Sequence, residues 1–283
     1  MKTLCNYHVL GAIALLLGTA LGGCGADDGE ALPGTLSLTI YGEEFLEDKI
    51  PAEEFNDGWE VTFSRFLVSV VNTTAFNADD TSVRLLDEQY RVFDLAQPSG
   101  GAGYAVTSNL EAPGGLYDRF SYDIAPPGDP AITSSGNGSA DSVGFMINNG
   151  YAVFVEGLAS KDAEQVTFAW GFTAGTRYNG CEAVADIDGD EATVELTIHG
   201  DHLFYDDLVS EEPNVSFQLI ADSDGDGDGV ITMEELAALD ITGEQRYQSG
   251  SLDIDNLYDF IDQQVSTLGH IAGEGHCATI SRL

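Results

Sequence analysis

The chain has 283 residues, and its 48 acidic against 10 basic side chains give a formal net charge of −38 at pH 7. Such a charge excludes nucleic acid and anionic membrane surfaces as electrostatic partners and favours cations. A hydrophobic content of 43% is sufficient for a buried core, so the composition also argues against an intrinsically disordered chain.

The N-terminal segment has the pattern of a secretory signal peptide. One lysine precedes an apolar run that is too short to span a membrane comfortably, and no basic stop signal follows the run. The run ends in Leu-Gly-Gly-Cys, which resembles a bacterial lipobox in which Cys24 is acylated. We therefore expect a lipoprotein signal peptide over 1–23 and an acylated, flexible tether over 24–34. An ordinary signal peptide with an incidental cysteine is the alternative.

The residue after Cys24 indicates the destination of such a lipoprotein. Gly25 stands where an aspartate would hold the protein in an inner membrane. We therefore expect a lipid-anchored protein at the outer membrane or cell surface of a Gram-negative bacterium, with its periplasmic face as an alternative. The lipid is the expected membrane contact.

The chain has four cysteines, of which two lie in the N-terminal segment and two lie in the predicted domain. Cys5 is removed with the signal peptide and Cys24 takes the lipid, which leaves Cys181 and Cys277. An even pair in an oxidising compartment predicts a disulfide. Two free thiols are the alternative.

Short apolar segments with alternating polarity predict strands through most of the chain. They cover residues 35–41, 60–76 (with a break near Ser64 and Arg65), 90–96, 115–127, 151–159, 165–175 and 192–200. Turn residues separate them, which favours an all-β sandwich or barrel over a βαβ repeat. We predict a mainly β fold, with a single β-sandwich domain over 35–283 and a monomeric chain. The Gly/Ser-rich segments 97–115 and 126–150 are expected to be mobile loops.

The pattern changes after about residue 205, where helical spacing replaces alternation. Pro213 is compatible with the first turn of a short helix. Apolar residues at helical spacing predict an amphipathic C-terminal helix over 253–268, with Ser251 or Asp253 as its N-cap and Gly269 as its C-cap. Its polar face is acidic, so we expect the helix to pack on the sheet and not to bind a membrane.

An acidic stretch, DSDGDGDGVITMEEL, has the spacing of a calcium-binding loop of the EF-hand family. Counting from Asp224, the ligand positions one, three, five, seven, nine and twelve fall on Asp224, Asp226, Asp228, the Val230 carbonyl, Thr232 and Glu235. Gly229 stands at the sixth position, where the chain must turn sharply. The residues therefore resemble an EF-hand, and we predict a Ca²⁺-binding, EF-hand-like insert over 213–240. An Asp/Gly linker is the alternative.

A second acidic segment matches the same pattern less well. Asp186, Asp188 and Asp190 have the spacing of three ligands, but Glu191 occupies the sixth position and Thr197 the twelfth. The sequence thus predicts one good calcium loop. A lone loop on an extracytoplasmic β-protein favours a structural ion over a calcium sensor.

The histidines suggest a different metal. After the signal peptide they occur in two short segments, with His199 and His202 in one and His270 and His276 in the other. Imidazole suits zinc, copper or iron, and Asp201 or Glu274 could complete a site. A Cys181–Cys277 disulfide would bring the two segments close together. The spacings fit no established short metal motif, and scattered surface and interface histidines are the alternative.

Several segments together resemble a group of bacterial lipoproteins that carry a calcium loop and have no characterised function. They are the lipobox, FSRFLVSV, GLYDRFSY, TIHGDHLFYDDL, the acidic stretch and LGHIAGEGHC. More weakly, the order of the β-segments over about 35–210 is similar to the MbnP family. That resemblance implies a copper-associated β-sandwich with a di-haem, peroxidase-like partner, but it assigns no ligand residue to this chain.

These patterns support three interpretations of function. The first is a lipid-anchored calcium-binding protein of structural or binding type, which is not an enzyme and in which calcium mainly stabilises the fold. The second is a copper- or zinc-binding lipoprotein that uses the histidines, with a redox partner. The third is a hydrolase, although GxSxG, a P-loop and a GxGxxG segment followed by a helix are missing from the sequence. The sequence identifies no partner protein.

Overall fold

Strands make up 46% and helices 17% of the structure, and the strands form two sheets, so the prediction of a mainly β, sandwich-like fold with few helices is confirmed. The structure is a computed structural model that describes residues 30–78, 84–134 and 137–283. The predicted signal peptide, Cys24 and most of the predicted tether lie outside these residues. Residues 31–283 form one unit. None of the helices in the described ranges has the length and apolar character required to cross a membrane.

The fold has strands that pair with their neighbours in the chain and strands that pair with distant ones. They are β1 (Gly34–Tyr41), β2 (Glu60–Asn77), β3 (Arg84–Asp87), β4 (Tyr90–Asp94), β5 (Tyr104–Ala112), β6 (Gly115–Ile124), β7 (Ala131–Thr133), β8 (Val153–Lys161), β9 (Glu164–Phe172), β10 (Thr176–Ile187), β11 (Glu191–Ile198), β12 (Val230–Ile231), β13 (Gly269–Ile271) and β14 (Cys277–Arg282).

The smaller sheet has the order β13-β11-β1-β5. Its central pair, β1 and β11, is parallel, although the two strands are far apart in the chain. The last short strand, β13, pairs antiparallel with β11 and places His270 opposite Thr197. This pairing brings the two histidine segments of the sequence to the same end of the sheet.

The larger sheet has the order β12-β9-β8-β2-β6-β10-β14, with β3 and β4 also paired to β2 and β7 paired to β4. The predicted break near Ser64 appears as a register shift between Phe63 and Arg65 where β2 pairs with β8. Buried side chains of both sheets belong to one hydrophobic cluster, for example Leu36 and Leu196 from the smaller sheet and Tyr117 and Phe120 from the larger. The core therefore lies between the sheets.

Two segments expected to be mobile loops contain regular structure. β5 lies within 97–115, and it escaped prediction because its pairing with β1 is interrupted by register shifts. Helix α2 (Ala140–Asn149) lies within 126–150. The Ser139 side chain caps its first turn and Gly150, in the left-handed region, ends it, so both capping signals were present in the sequence. The sequence reading also missed β10, which alternates buried and exposed residues around Gly180.

The remaining helices are short: α1 (Glu43–Glu47), α3 (Gln218–Ala221), α4 (Met233–Ala238) and α5 (Leu257–Gln264). No helix begins at Pro213. Instead, α3 begins at Gln218, because the Asp57 carboxylate accepts hydrogen bonds from the amides of Phe217 and Gln218. Helix α3 ends directly before the acidic stretch, and α4 begins within it.

The C-terminal helix is shorter than predicted. Asn256, and neither Ser251 nor Asp253, caps α5, and one 3-10 turn (Val265–Thr267) follows the helix. The preceding residues are unavailable because the Asp255 carbonyl accepts from the Ile241 amide. Gly269 is not a C-cap but the first residue of β13.

The predicted disulfide between Cys181 and Cys277 is confirmed. It joins β10 to the first residue of β14 at the edge of the larger sheet. Since β13 belongs to the smaller sheet, the chain crosses from one sheet to the other between Ile271 and Cys277.

Candidate metal centre

The first two histidines lie immediately after β11. His199 donates its backbone amide to the Leu268 carbonyl, which fixes it beside β13. A 3-10 turn (Gly200–Phe204) then carries Asp201 and His202. Gly200 packs so tightly against Leu46 of α1 that an added Cβ would lie 2.2 Å from the leucine Cδ2 atom. The turn is therefore held against the body of the domain.

The third histidine, His270, is the middle residue of β13. Two stacked tyrosines of the larger sheet, with ring centroids 4.7 Å apart, support this strand. Tyr122 donates its hydroxyl to the His270 carbonyl, and the Gly269 amide donates to the hydroxyl of Tyr178. A side chain at Gly269 would collide with these two hydroxyl-bearing rings, so glycine permits the close approach of the sheets.

The fourth histidine follows a tight turn, Ile271–Gly275, which we call the terminal turn. Reciprocal backbone hydrogen bonds join Ile271 and Gly275. The Thr197 hydroxyl donates to the Gly273 carbonyl and anchors the turn on β11. His276 comes next, directly before the disulfide-bonded Cys277. Since Cys277 begins β14, the position of His276 is fixed by the larger sheet.

All four side chains, here called the histidine cluster (His199, His202, His270 and His276), lie together. The ring centroid of His199 is 5.3 Å from that of His202 and 4.3 Å from that of His270. The centroids of His202 and His270 are 5.2 Å apart, and those of His270 and His276 are 5.4 Å apart. The tertiary structure thus brings together the residues that the sequence placed in two separate segments.

Potential ligand atoms converge in two overlapping groups. One contains His199, Asp201 and His202, and the other contains His199, His270 and Glu274, with the ligand atoms of each group within 4.8 Å of one another. His199 belongs to both groups and is only 6% exposed. A cation near His199 would therefore have imidazole and carboxylate donors on several sides.

Hydrogen bonding determines which atoms remain free to bind an ion. The His202 Nδ1 atom donates to the Thr267 carbonyl at 2.8 Å, which leaves Nε2 as the unprotonated nitrogen. Tyr205 donates its hydroxyl to Asp201 Oδ2 at 3.1 Å. The other oxygen of that carboxylate, Oδ1, is buried without a hydrogen-bond partner, and so are His199 Nε2 and His270 Nδ1.

Unpartnered buried polar atoms are uncommon because each costs about 1–3 kcal/mol. Here three of them belong to the two overlapping ligand groups, on side chains that are good metal ligands. A cation bound beside His199 would provide a partner for ligand atoms of this kind.

The local pKa values favour neutral imidazoles. Burial, reinforced by the neighbouring histidines, lowers the pKa of His202 to about 3. Burial likewise lowers the pKa of His270 to about 4. Neutral imidazole is the form that binds metal. Burial also raises the pKa of Asp201, and the hydrogen bond from Tyr205 opposes this shift only in part.

Two residues that the sequence did not single out complete the surroundings. Glu43, in α1, places Oε2 3.7 Å from His199 Nδ1. Its φ of +56° lies in the left-handed region, which a residue other than glycine adopts at a cost. Tyr205 packs its ring against that of His202, with centroids 4.4 Å apart. Only the position of Tyr205, six residues after His199, could have drawn attention to it in the sequence.

The acidic loop (224–235) is a separate and more exposed arrangement. The carboxylates of Asp224, Asp226 and Asp228 lie within 4.8 Å of one another. Gly227 and Gly229 adopt left-handed φ values of +74° and +79°, which turn the chain around these carboxylates.

The end of the acidic loop closes over its beginning. Thr232 and Glu235 form a capping box at the start of α4. One carboxylate oxygen of Glu235 accepts from the Thr232 amide, and the other accepts from the Gly225 amide at 3.0 Å. These bonds, the one from Thr232 first, lower the pKa of Glu235. Val230 is the first residue of β12, which pairs with β9.

The weaker acidic segment does not form a comparable group among the described residues. Asp186 lies in β10, and Asp188 accepts a hydrogen bond from the Leu32 amide. The groups of three or more gathered ligands in the described ranges do not include Asp186, Asp188 or Asp190.

Comparison with known proteins gives this chain no relative. No family model, no curated protein and no solved structure matches it.

Proposed function

We propose that this protein binds a transition-metal ion, copper or zinc, at the histidine cluster. The observation that carries the proposal is the pair of overlapping ligand groups that share His199, within which His199 Nε2, Asp201 Oδ1 and His270 Nδ1 are buried without a hydrogen-bond partner in the protein. A cation bound beside His199 would give buried ligand atoms of this kind a partner and so reduce the cost of their burial.

The donor set favours copper or zinc over calcium at this position. Calcium prefers six to eight oxygen ligands, whereas imidazole nitrogen suits zinc and copper. The hydrogen bonds that the candidate ligands make to neighbouring groups also fit a metal site. A carbonyl holds the tautomer of His202 and a hydroxyl orients Asp201. Such supporting bonds commonly tune the affinity of a site.

The test is a competition titration of Cu²⁺ and Zn²⁺ against a chelator, with the full-length protein and a His199→Gln variant. Loss of a supporting contact costs about 10- to 100-fold in affinity, and loss of the shared ligand should cost at least as much. Asp224→Asn is the matched control, since it removes one ligand from the acidic loop instead. Equal affinities for the wild type and His199→Gln would refute the proposal.

A second candidate function is calcium binding at the acidic loop, with a mainly stabilising role. It is supported by the three gathered aspartates and by the Glu235 carboxylate, which lies against the amide of Gly225. The loop is also built into the larger sheet. The Thr167 amide donates to the Gly229 carbonyl, and the Trp170 indole donates to the Ile231 carbonyl.

This attachment suggests why one loop suffices. EF-hand loops usually occur in pairs, and here β9 supplies the strand against which the loop's short strand β12 lies. Calcium would then hold the acidic loop, α4 and the edge of the larger sheet together.

A further inference from the structure

A cavity of about 350 Å³ lies beside the histidine cluster. Three of the four histidines line it, namely His202, His270 and His276, and Tyr205 and Glu274 also contribute to its wall. The volume is at the lower end of the range for small-molecule sites, about 300–1,000 Å³. A water molecule occupies about 30 Å³ of liquid, so the cavity is much larger than a metal ion with one water requires.

The proposed ligands surround this cavity unequally. His199 and Asp201 are not part of its wall, and the unpartnered atoms of both side chains are buried. His202 and His270 do line it, and their rings are 5.2 Å apart. An ion held by these side chains would be shielded by protein on the side of His199 and would face the cavity on the other side. Sites with an open position of this kind can bind an external ligand.

The charge of the wall selects among external ligands. Asp207, Glu211 and Glu274 line the cavity, and no lysine or arginine does so among the described residues. Glu274 is 83% exposed in its side chain and lies where a ligand would approach from solution. The chain as a whole carries a net charge of −38. A bound cation attracts anions, but these carboxylates and the net charge oppose the entry of an anion and do not oppose that of a neutral molecule.

We propose that the bound ion keeps one coordination position open toward this cavity and takes there a small neutral nitrogen or oxygen donor from solution. The inference rests on the proposed transition-metal function and adds to it the class of a second ligand. A water molecule fills the position when no stronger neutral donor is present, and the donor displaces that water without any change in the oxidation state of the ion.

The experiment uses the full-length protein loaded with Cu²⁺ and titrated separately with imidazole, a neutral donor, and with azide, an anionic one. The copper EPR and visible spectra report the coordination shell, and elemental analysis after gel filtration reports whether the ion remains bound. We expect imidazole to shift the spectra at millimolar concentration with copper retained. Azide should bind more weakly by about tenfold or more, because the acidic wall opposes it.

Two variants test whether the ligand enters through the cavity. Leu208 lines the cavity, and Leu208→Trp should weaken imidazole binding by about tenfold through loss of space, with copper affinity unchanged. Leu158→Trp is the matched control, because Leu158 is 38% exposed on β8 and lines a different groove. The Leu158→Trp variant should bind copper and imidazole as the wild type does.

The outcomes separate the two proposals. Copper that binds and shows no spectral change with imidazole would overturn the open position while leaving the metal site intact. Removal of copper by imidazole, or tighter binding of azide than of imidazole, would also overturn it. If Leu208→Trp fails to fold, the wild-type titrations still decide the matter. Failure of the protein to bind copper or zinc at all would overturn the proposed function itself.

Discussion

The histidine cluster and the acidic loop are built in opposite ways. The acidic loop is contiguous in the chain, and its carboxylates are largely exposed and hydrogen-bonded to neighbouring amides. The histidine cluster is assembled from the residue after β11, the 3-10 turn that follows, β13 and the residue after the terminal turn, and two of its nitrogen atoms are buried without partners. The acidic loop can therefore be recognised by its spacing, whereas the histidine cluster depends on the tertiary structure.

The largest expected difference between the two regions is in their response to acid. In the unfolded chain the histidines have their ordinary pKa of about 6.5. In the folded chain the pKa of His270 is about 4 and that of His202 is about 3. Above about pH 6.5 the two imidazoles are neutral in both the folded and the unfolded state, so they do not make the stability depend on pH. As the pH falls below about 6.5 the unfolded state binds more protons, so the metal-free protein loses stability.

Denaturant unfolding in the presence of chelator, measured across this pH range, tests that expectation. A His202→Gln/His270→Gln double variant should lose less stability than the wild type between about pH 6.5 and 3. The carboxylates are the same in both proteins and serve as the internal control. Parallel pH profiles would show that the two imidazoles are not buried in neutral form.

The disulfide should matter for the histidine cluster and not for the acidic loop. It closes a segment of 96 residues, so a Cys181→Ala/Cys277→Ala variant should be less stable by about 4 kcal/mol if loop entropy dominates. Metal affinity should also fall, because His276 adjoins Cys277. The effect of calcium on the melting temperature should be unchanged. Unaltered copper or zinc affinity in the variant would contradict the positioning of His276 by the disulfide.

Calcium should stabilise the protein through the acidic loop alone. At about a hundred times the dissociation constant, binding to the folded state contributes about 2.7 kcal/mol. For a domain of this size the melting temperature should rise by roughly 5–10 °C. Magnesium should do much less, since it requires a tighter octahedral shell.

The neighbouring glutamates supply a matched pair for this measurement. Glu235→Gln should remove most of the calcium effect, whereas Glu234→Gln should preserve it. Identical thermal melts of the wild type in calcium and in chelator would mean that the acidic loop is only a linker.

The smallest expected effect is that of Tyr205→Phe. Removing the hydroxyl that orients Asp201 should weaken copper or zinc binding by about tenfold, or about 1.4 kcal/mol, without loss of the fold. Tyr258→Phe is the control, because that hydroxyl donates to the carbonyl of Gly171 in β9, a strand that contributes no residue to the cluster. If the two variants bind the ion equally well, Tyr205 has no part in holding Asp201.

The sequence anticipated much of the sheet and the disulfide, since alternation and cysteine parity are local signals. It missed β5, β10 and α2, where register shifts, Gly180 and loop-like composition obscure the pattern. It also began the C-terminal helix too early, because the pairing of Asp255 with Ile241 is a tertiary contact. The capping residues chosen from sequence, Ser251 or Asp253 and Gly269, were wrong, since Asn256 caps the helix and Gly269 begins β13.

The candidate ligands also differ in whether a local sequence pattern could identify them. The four histidines could be named from sequence, but their convergence depends on the parallel β1–β11 pairing and on β13, which no local pattern predicts. Glu43 and Tyr205 could not be anticipated, because α1 and the residue after the 3-10 turn reach the cluster only in the folded chain.

The most direct test of the transition-metal site is the X-ray absorption spectrum of the protein loaded with one equivalent of Cu²⁺ or Zn²⁺ in the presence of excess calcium. An ion in the histidine cluster should show imidazole nitrogens, at about 2.0–2.1 Å for zinc, and no sulfur ligand. Multiple scattering from the imidazole rings should diminish in His199→Gln and persist in Asp224→Asn. A shell of oxygen atoms alone, lost in Asp224→Asn, would place the ion in the acidic loop and contradict the account.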